Sequence, residues 1–478
     1  MWNRIEEILE GFRKEFSHKN AYRWLIILVI GIMVRTDKLG VTSVIRDLAL
    51  RAESYESMIR FFRASSWRLF SLQAAWLRIV SRQAPLWKHQ GRVVLIGDGV
   101  KQAKEGRKMP GIKRLKQESE TQSKASYIYG HFWGCVGILI GTAEKLACLP
   151  LLLRLHDGLR ETADWDESEE TGASHITRLV CQACQCAAPF GSALLLLDRL
   201  CPSAEALRVL NAWNATHSDR VDIVSRLKSN AVAWKDAPER KPGQWGRPRK
   251  KGDKVKLWEL FETKRAEFQK EILQIRGKDA VVEHYSEDLL WGKGLYQKLR
   301  IVLVRQGESR FILFSTDLSI EPTDILSLYL RRSRVEGAFR ELKQQIGAFS
   351  YRFWSKSMPR LNHFRKKTEP FPLESVTSPK ERARILKTVR ATELYALISS
   401  IAMGILQILS IEFDSPEIRA ELRYQRTPAG ERISEANLMA YLRQRLFVFM
   451  ALRPDNSITQ LIRSVQKPAE SETTSNAA

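Results

Sequence analysis

The chemistry-bearing residues of this chain fall into two groups. The first is a stripe. In Tyr329-Leu-Arg-Arg332-Ser-Arg-Val-Glu336-Gly-Ala-Phe-Arg-Glu-Leu-Lys343, offsets of 3, 4 and 7 put a phenol, a guanidinium, a carboxylate and an ammonium on one helical face. The second is a pair of aspartates, each closing an apolar run. Val93-Val94-Leu95-Ile96 leads through Gly97 to Asp98, and Ala193-Leu194-Leu195-Leu196-Leu197 leads to Asp198. Strands buried on both faces of a sheet bring their terminal residues side by side at one edge, so these two can meet across a long stretch of chain. Glu336, on a helix packed over that edge, completes a set of three hard oxygen donors that suits Mg²⁺ or Mn²⁺. Two such ions about 3.5–4 Å apart activate a water or a 3′-hydroxyl and stabilise the leaving oxygen in phosphodiester cleavage. An aspartate at a strand end by itself often only caps a turn. The stripe selects the catalytic reading.

Several elements must hold these residues. Residues 1–85 read as helices, with apolar residues at helical spacing through Ile5–Phe16, Trp24–Val34 and Ser57–Ile79. The Val93–Ile96 run is a buried strand stopping at the acid, and 101–124 is a polar, basic loop. Tyr127–Ile140 and Lys145–Leu153 read as strands, and Glu169–Ala188 as a helix. Ser203 caps another helix, and Val221–Val224 is a further strand. From about 228 to 316 the texture changes to a Pro/Gly/basic segment, a charged helix near 255–275, and strands at Lys298–Arg305 and Arg310–Ser315. That block reads as a β-rich insertion in a larger α/β domain. Glu321–Ile346 reads as one long amphipathic helix ended by Gly347. Residues 375–465 are helical again, and the polar tail over 466–478 is expected to be disordered.

Charge narrows the partner. In 478 residues, 77 Lys and Arg against 54 Asp and Glu leave a net +23, which points to a polyanion such as nucleic acid. An acidic membrane surface is the rival. Against it, the N-terminus lacks the charged-then-apolar order of a signal peptide, and Trp24–Val34 is too short to span a bilayer. Leu394–Ile411 is longer, but Ser399, Ser400, Gly404 and Gln407 interrupt it, so it reads as a buried helix. Six cysteines make no disulfide framework, and a cytoplasmic chain with reduced thiols is expected. Cys181, Cys184 and Cys186, with His175 before and Cys201 after, raise a zinc reading. Their segment lacks the turn a zinc loop needs, so buried thiols are expected instead. His131 reads as a core residue. No GxxxxGK[ST] loop appears, so nothing supports ATP-driven chemistry.

Two stretches suit DNA directly. Gly246-Arg247-Pro248-Arg249-Lys250-Lys251-Gly252 resembles minor-groove hooks built around Gly-Arg-Pro, so Arg247, Arg249, Lys250 and Lys251 are candidate phosphate or groove contacts. Tyr329–Lys367 carries eleven Lys/Arg against two Glu, interleaved with Tyr351, Phe353 and Trp354. Such rings can stack on bases along a DNA track.

The Tyr329, Arg332, Glu336, Lys343 spacing is the YREK signature, and over most of its length the chain resembles the bacterial insertion-sequence DDE transposases that carry it. The resemblance implies an α/β fold: a ribonuclease-H-like catalytic domain over 90–350, interrupted by the 228–316 insertion and flanked by N-terminal and C-terminal helical regions. It makes 1–85 a helical DNA-binding region and 351–465 a C-terminal region for DNA contact and pairing of protomers. Asp98, Asp198 and Glu336 become the catalytic, metal-holding triad with two Mg²⁺ or Mn²⁺ ions. Tyr329, Arg332 and Lys343 become contacts to phosphates of the cleaved end. The implied reaction is cut-and-paste transposition by a homodimer on double-stranded DNA: water hydrolyses the transposon end, and the freed 3′-hydroxyl attacks target DNA. Hairpin-forming relatives can carry Trp where this chain has Ser333. They also trap a flipped base on an aromatic of the insertion, for which Phe311 or Trp291 are the candidates, so hairpin formation stays open. Two other readings remain: a domesticated DNA-binding protein that no longer cuts, and a metal-dependent nuclease without strand transfer.

Overall fold

The structure is a computed structural model, and it describes residues 1–117, 125–159, 162, 165, 174–239, 245–275, 278–362, 369–422 and 433–467. The chain opens with helices α1 (Trp2–Glu10), α2 (Lys19–Val34), α3 (Val41–Asp47), α4 (Ser54–Phe62) and α5 (Leu69–Gln83). Helix α1 buries one face through Trp2, Ile5, Ile8 and Leu9, whereas α2 is buried nearly all round. A helix apolar on every side belongs inside a core.

A single mixed sheet follows. Its first strands are β1 (Lys88–His89), β2 (Arg92–Ala103), β3 (Lys113–Lys116), β4 (Tyr127–Gly141) and β5 (Leu146–Asp157). Strand β4 runs antiparallel to β2 on one edge and to β5 and β3 on the other. Helix α6 (His175–Ala187), β6 (Ala193–Leu197), α7 (Ala204–Thr216) and β7 (Val221–Leu227) then form two crossovers, and β6 lies parallel to both β2 and β7. Ser174 and Ser203 cap α6 and α7 by accepting from the amides of Thr177 and Ala206. All five residues of β6 are buried, as a parallel strand covered on both faces requires. Three antiparallel strands continued by two parallel ones, with helices on both faces, is the ribonuclease-H-like arrangement.

The insertion supplies β8 (Val232–Trp234), β9 (Lys254–Lys256), the one-turn helix α8 (Leu260–Thr263), β10 (Gln269–Ile275), β11 (Lys278–Trp291), β12 (Gln297–Gln306) and β13 (Ser309–Ser315). Because β13 pairs with β7, these strands extend the same sheet, in the order β2-β6-β7-β13-β12-β11-β8-β9. The charged helix expected near 255–275 is not there. Short helical turns end at Glu267, and Gln269–Ile275 pairs residue by residue with β11. Inter-strand hydrogen bonds override the local charge pattern.

Two further expectations change. Strand β2 does not stop at its acid: pairing with β4 continues to Ala103, so Asp98 lies mid-strand and part of the expected 101–124 loop is sheet. The expected single helix over 321–346 is three pieces: α9 (Pro322–Arg331), α10 (Arg334–Glu341) and a π-helical turn at Leu342–Ile346. At the joint, Val335 and Glu336 bond back three residues, to Arg332 and Ser333, which tightens the turn. Gly347 (φ +66°) ends the run, where an added Cβ would stand 2.8 Å from Arg35 Nη2. Buried Arg35 caps this end by donating to the Ile346 carbonyl.

The C-terminal helices are α11 (Pro379–Glu412), α12 (Pro416–Glu421), α13 (Glu435–Leu452) and α14 (Ser457–Arg463). Among the described residues α11 alone is long and apolar enough to cross a membrane, yet 94% of its most apolar window is buried inside the fold. It packs as a core helix. An added Cβ at Gly404 would stand 2.5 Å from the Trp76 ring, and Gln407 donates to the Cys148 carbonyl at 3.1 Å. Residues 468–478 of the expected disordered tail lie outside the described residues.

Candidate active site

The parallel register of β2 and β6 pairs Gly97 with Leu197, so the next residues out are Asp98 and Asp198 on strands about 4.8 Å apart. Successive side chains alternate faces. An added Cβ at Gly97 would stand 2.8 Å from Leu197 Cδ2, and one at Gly99 would stand 2.6 Å from the Phe132 ring and 3.0 Å from His175 Nε2. The two glycines flanking Asp98 therefore answer to packing on the α6 side, while Asp98 faces α9 and α10.

There it meets Arg332. The guanidinium lies 3.2 Å from Asp98 Oδ2, 3.7 Å from Asp198 Oδ1 and 2.9 Å from Glu336 Oε1. Glu336 is one helical turn beyond Arg332 and the most open of the three acids, 62% exposed against 22% for Asp98. Burial pushes the Asp98 carboxyl up to about 6, against the pull of Arg332 and of the Gly99 amide, which donates to its Oδ1 at 2.7 Å. The like charges of Asp198 and Glu336 push it the same way as burial. Burial also raises the Tyr329 phenol, which the charges of Arg332 and Arg226 pull back.

Lys343 sits further out. Its ammonium donates to the Lys101 carbonyl at 3.4 Å, three residues and about 10 Å along β2 from Asp98. The widened π turn beneath it breaks the simple stripe. The insertion cations are not brought to the acids, because β9, which follows them, is seven strand positions from β2. Arg247, Arg249 and Lys250 are exposed, whereas Lys251 lies over the rings of Trp234 (4.5 Å) and Tyr296 (4.9 Å). Phe311 packs under Arg226 at 5.4 Å, and Trp291 stacks on Phe314 at 6.3 Å.

Arg226 escaped the sequence reading. It stands near the end of β7, beside Tyr329 and Phe311, and the same edge logic that picks out Asp198 would have found it. Past the motif, Tyr351, Phe353 and Ser355 are buried, while Arg352, Trp354 and Lys356 are exposed. This strap lies along the 104–110 segment through Lys104 Nζ to Tyr351 O (2.9 Å) and Ser355 N to Lys108 O (3.1 Å). The cysteines 181, 184 and 186 ride on α6, and burial pushes Cys184, Cys186 and Cys201 up to about 12. His131 is a core residue bonded to Tyr351 Oη (2.6 Å) and the Pro110 carbonyl (2.8 Å).

Three carboxylates suit a hard divalent ion chemically. Their present spacing is that of a guanidinium: among the described residues no three His, Cys, Asp or Glu side chains are grouped closely enough to hold a metal ion.

Residues 11–278 match the family model described as DDE superfamily endonuclease, and residues 211–360 match that of the Transposase DDE domain. The first match contains Asp98 and Asp198, and the second contains the whole of Tyr329 to Lys343. No curated protein and no solved structure matches the chain.

Proposed function

Because the chain belongs to the DDE superfamily endonucleases and carries a transposase DDE domain, we propose that it is an insertion-sequence transposase of the YREK type. It cuts transposon ends and joins them to target DNA by a cut-and-paste route. One observation carries the reading: Asp98, Asp198 and Glu336, from β2, the end of β6 and α10, gather around the single guanidinium of Arg332. The catalytic domain would cover 90–350 with its insertion at 228–316. Residues 1–85 would contact DNA, and 351–465 would contact DNA and pair two protomers.

In this reading Asp98, Asp198 and Glu336 would hold Mg²⁺ or Mn²⁺, two ions per centre, and these would supply activation of the attacking oxygen and charge neutralisation at the leaving one. The remaining work falls to the chain's own cations. Arg332 grips the scissile phosphate in a bidentate fork, which guanidinium geometry favours. Tyr329 and Lys343 hold the neighbouring phosphates of the cleaved end. Arg247, Arg249, Lys250 and Lys251 anchor the duplex at a distance from the chemistry.

The test uses duplex DNA carrying the inverted repeats that should flank the coding sequence. Asp98→Asn, Asp198→Asn and Glu336→Gln should each abolish Mg²⁺-dependent nicking and leave end binding intact. Nicking retained in one variant removes that residue from the triad. Nicking without joining, in the unaltered protein, would leave a nuclease instead.

A further inference from the structure

Arg332 occupies ground that the metal needs. The oxygens it touches (Asp98 Oδ2, Asp198 Oδ1 and Glu336 Oε1) are the ones a divalent ion would bind, and they stand 2.9–3.7 Å from guanidinium nitrogens. Mg²⁺ requires oxygens at about 2.0–2.1 Å in near-octahedral order, so ion and guanidinium cannot share these atoms. The arginine is well held where it is. Only 15% of its side chain is exposed, and its backbone sits in the tightened joint between α9 and α10.

The charges explain why something must stand there. Three carboxylates around one guanidinium repel one another, and one of them, Asp98, is largely enclosed and so loses hydration. One guanidinium offsets a single negative charge and leaves a net of two on the centre. That is enough to hold the arginine in DNA-free protein and to attract divalent ions once it leaves. A phosphodiester offers the same guanidinium a bidentate anion of equal quality, so an incoming strand is the natural group to draw it out.

We infer that Arg332 is a displaceable occupant of the metal position, so that the centre accepts metal readily only once a DNA phosphate has taken the arginine. The inference rests on reading Asp98, Asp198 and Glu336 as the metal ligands. It makes metal and DNA binding mutually reinforcing, since coupling between two sites is reciprocal. It also keeps the centre closed to metal while no DNA strand reaches it.

Mn²⁺ binding tests this without any turnover, because electron paramagnetic resonance counts the free ion. The full-length protein is titrated with Mn²⁺ alone and again with a duplex carrying the transposon end. Without DNA, Arg332→Ala should bind Mn²⁺ at least about tenfold more tightly than the unaltered protein, a factor typical of coupled sites. Arg332→Gln should do the same if the alanine variant folds poorly. With DNA present the gap should close, because the unaltered protein gains affinity that the variants already have. Arg334→Ala, which removes an exposed cation next to the joint, should change little; a gain equal to that of Arg332→Ala would reduce the effect to general charge and overturn the inference. Equal Mn²⁺ affinity of the unaltered protein and Arg332→Ala without DNA would overturn it too. Adding Asp98→Asn to Arg332→Ala should erase the gain. If Mn²⁺ binding ignores Asp98 altogether, the ligand assignment itself fails, which is a different result from a centre that binds through Asp98 but is never blocked.

Discussion

Lys343 and Arg332 are both cations of the motif, yet they do different things in the fold. Arg332 bridges the acids, whereas Lys343 reaches the Lys101 carbonyl along β2. If Lys343 positions a phosphate next to the reacting one, Lys343→Ala should slow single-turnover nicking of pre-bound ends by about 100-fold, the loss expected from a misplacement of about 1 Å. Overall affinity should hardly move, since one phosphate partner among many adds little to binding. Arg340, an exposed cation on α10 paired with Glu341 at 3.3 Å, supplies the comparison, and Arg340→Ala should leave the bound-state rate alone. Equal losses for both would make Lys343 one more surface charge. Tyr329, Arg332 and Glu336 were legible because they lie within about two helical turns of one another, whereas the place of Lys343 was not, because the π turn at Leu342–Ile346 takes it off their stripe. Arg226 is found only by extending the strand-edge argument from Asp198 to β7, and the His156–His175 pair, 2.5 Å apart, lies behind Gly99 on the face of the sheet opposite Asp98.

Elements were legible where burial alone dictates them. The five apolar residues before Asp198 form a strand covered on both faces, and Ser203 starts its helix by local capping, whereas the Ser174 cap on α6 was not read from the sequence. Elements set by pairing were not legible. Gln269–Ile275 reads as part of a charged helix until its seven partners on β11 are known. Nor does the local sequence mark the break at Arg332-Ser333, where Arg332 reaches the acids, or the π turn at Leu342–Ile346, where buried Arg35 donates to the last carbonyl. Arg247, Arg249 and Lys250 are exposed, but the Lys251 ammonium is engaged with two rings. Replacing the first three by alanine should lower the slope of log affinity against log salt by up to about 2.7, at about 0.9 for each phosphate that is no longer neutralised. Lys251→Ala should change the slope less and the stability of the loop more. A slope unchanged by the triple substitution would make the loop a solvated surface.

On the scale of the molecule, the two ends of the chain close into one core, which no local pattern announces. Arg51 donates its amide to Val465 O at 3.0 Å, and Arg443 donates to the carbonyls of Val34 and Arg35, each at 2.6 Å. Helix α11 runs through this core against β5 and α2, which is why so apolar a segment is buried rather than presented to lipid. The core also encloses His131 and His156, whose imidazoles burial pushes down to about 4 and about 3. In the unfolded chain both would titrate near 6.5. Between about pH 6.5 and 4 the unfolded state therefore binds more protons than the folded one, and stability falls as the pH is lowered through that window. Each histidine contributes close to one proton, or about 1.4 kcal/mol per pH unit. Asp98 works the other way, since its raised carboxyl takes up a proton in the folded state near pH 6 and offsets part of the loss. The histidines can be isolated by difference. Unfolding free energies from urea titrations at pH 6.5, 5.75 and 5.0 should fall with acid in the unaltered protein, and His131→Asn or His156→Asn should each flatten that fall by nearly one proton. A pH slope that neither substitution changes would mean that these two imidazoles accept protons in the folded state, and that the enclosure of β4 and β5 beneath α6 and α11 is looser than their burial implies.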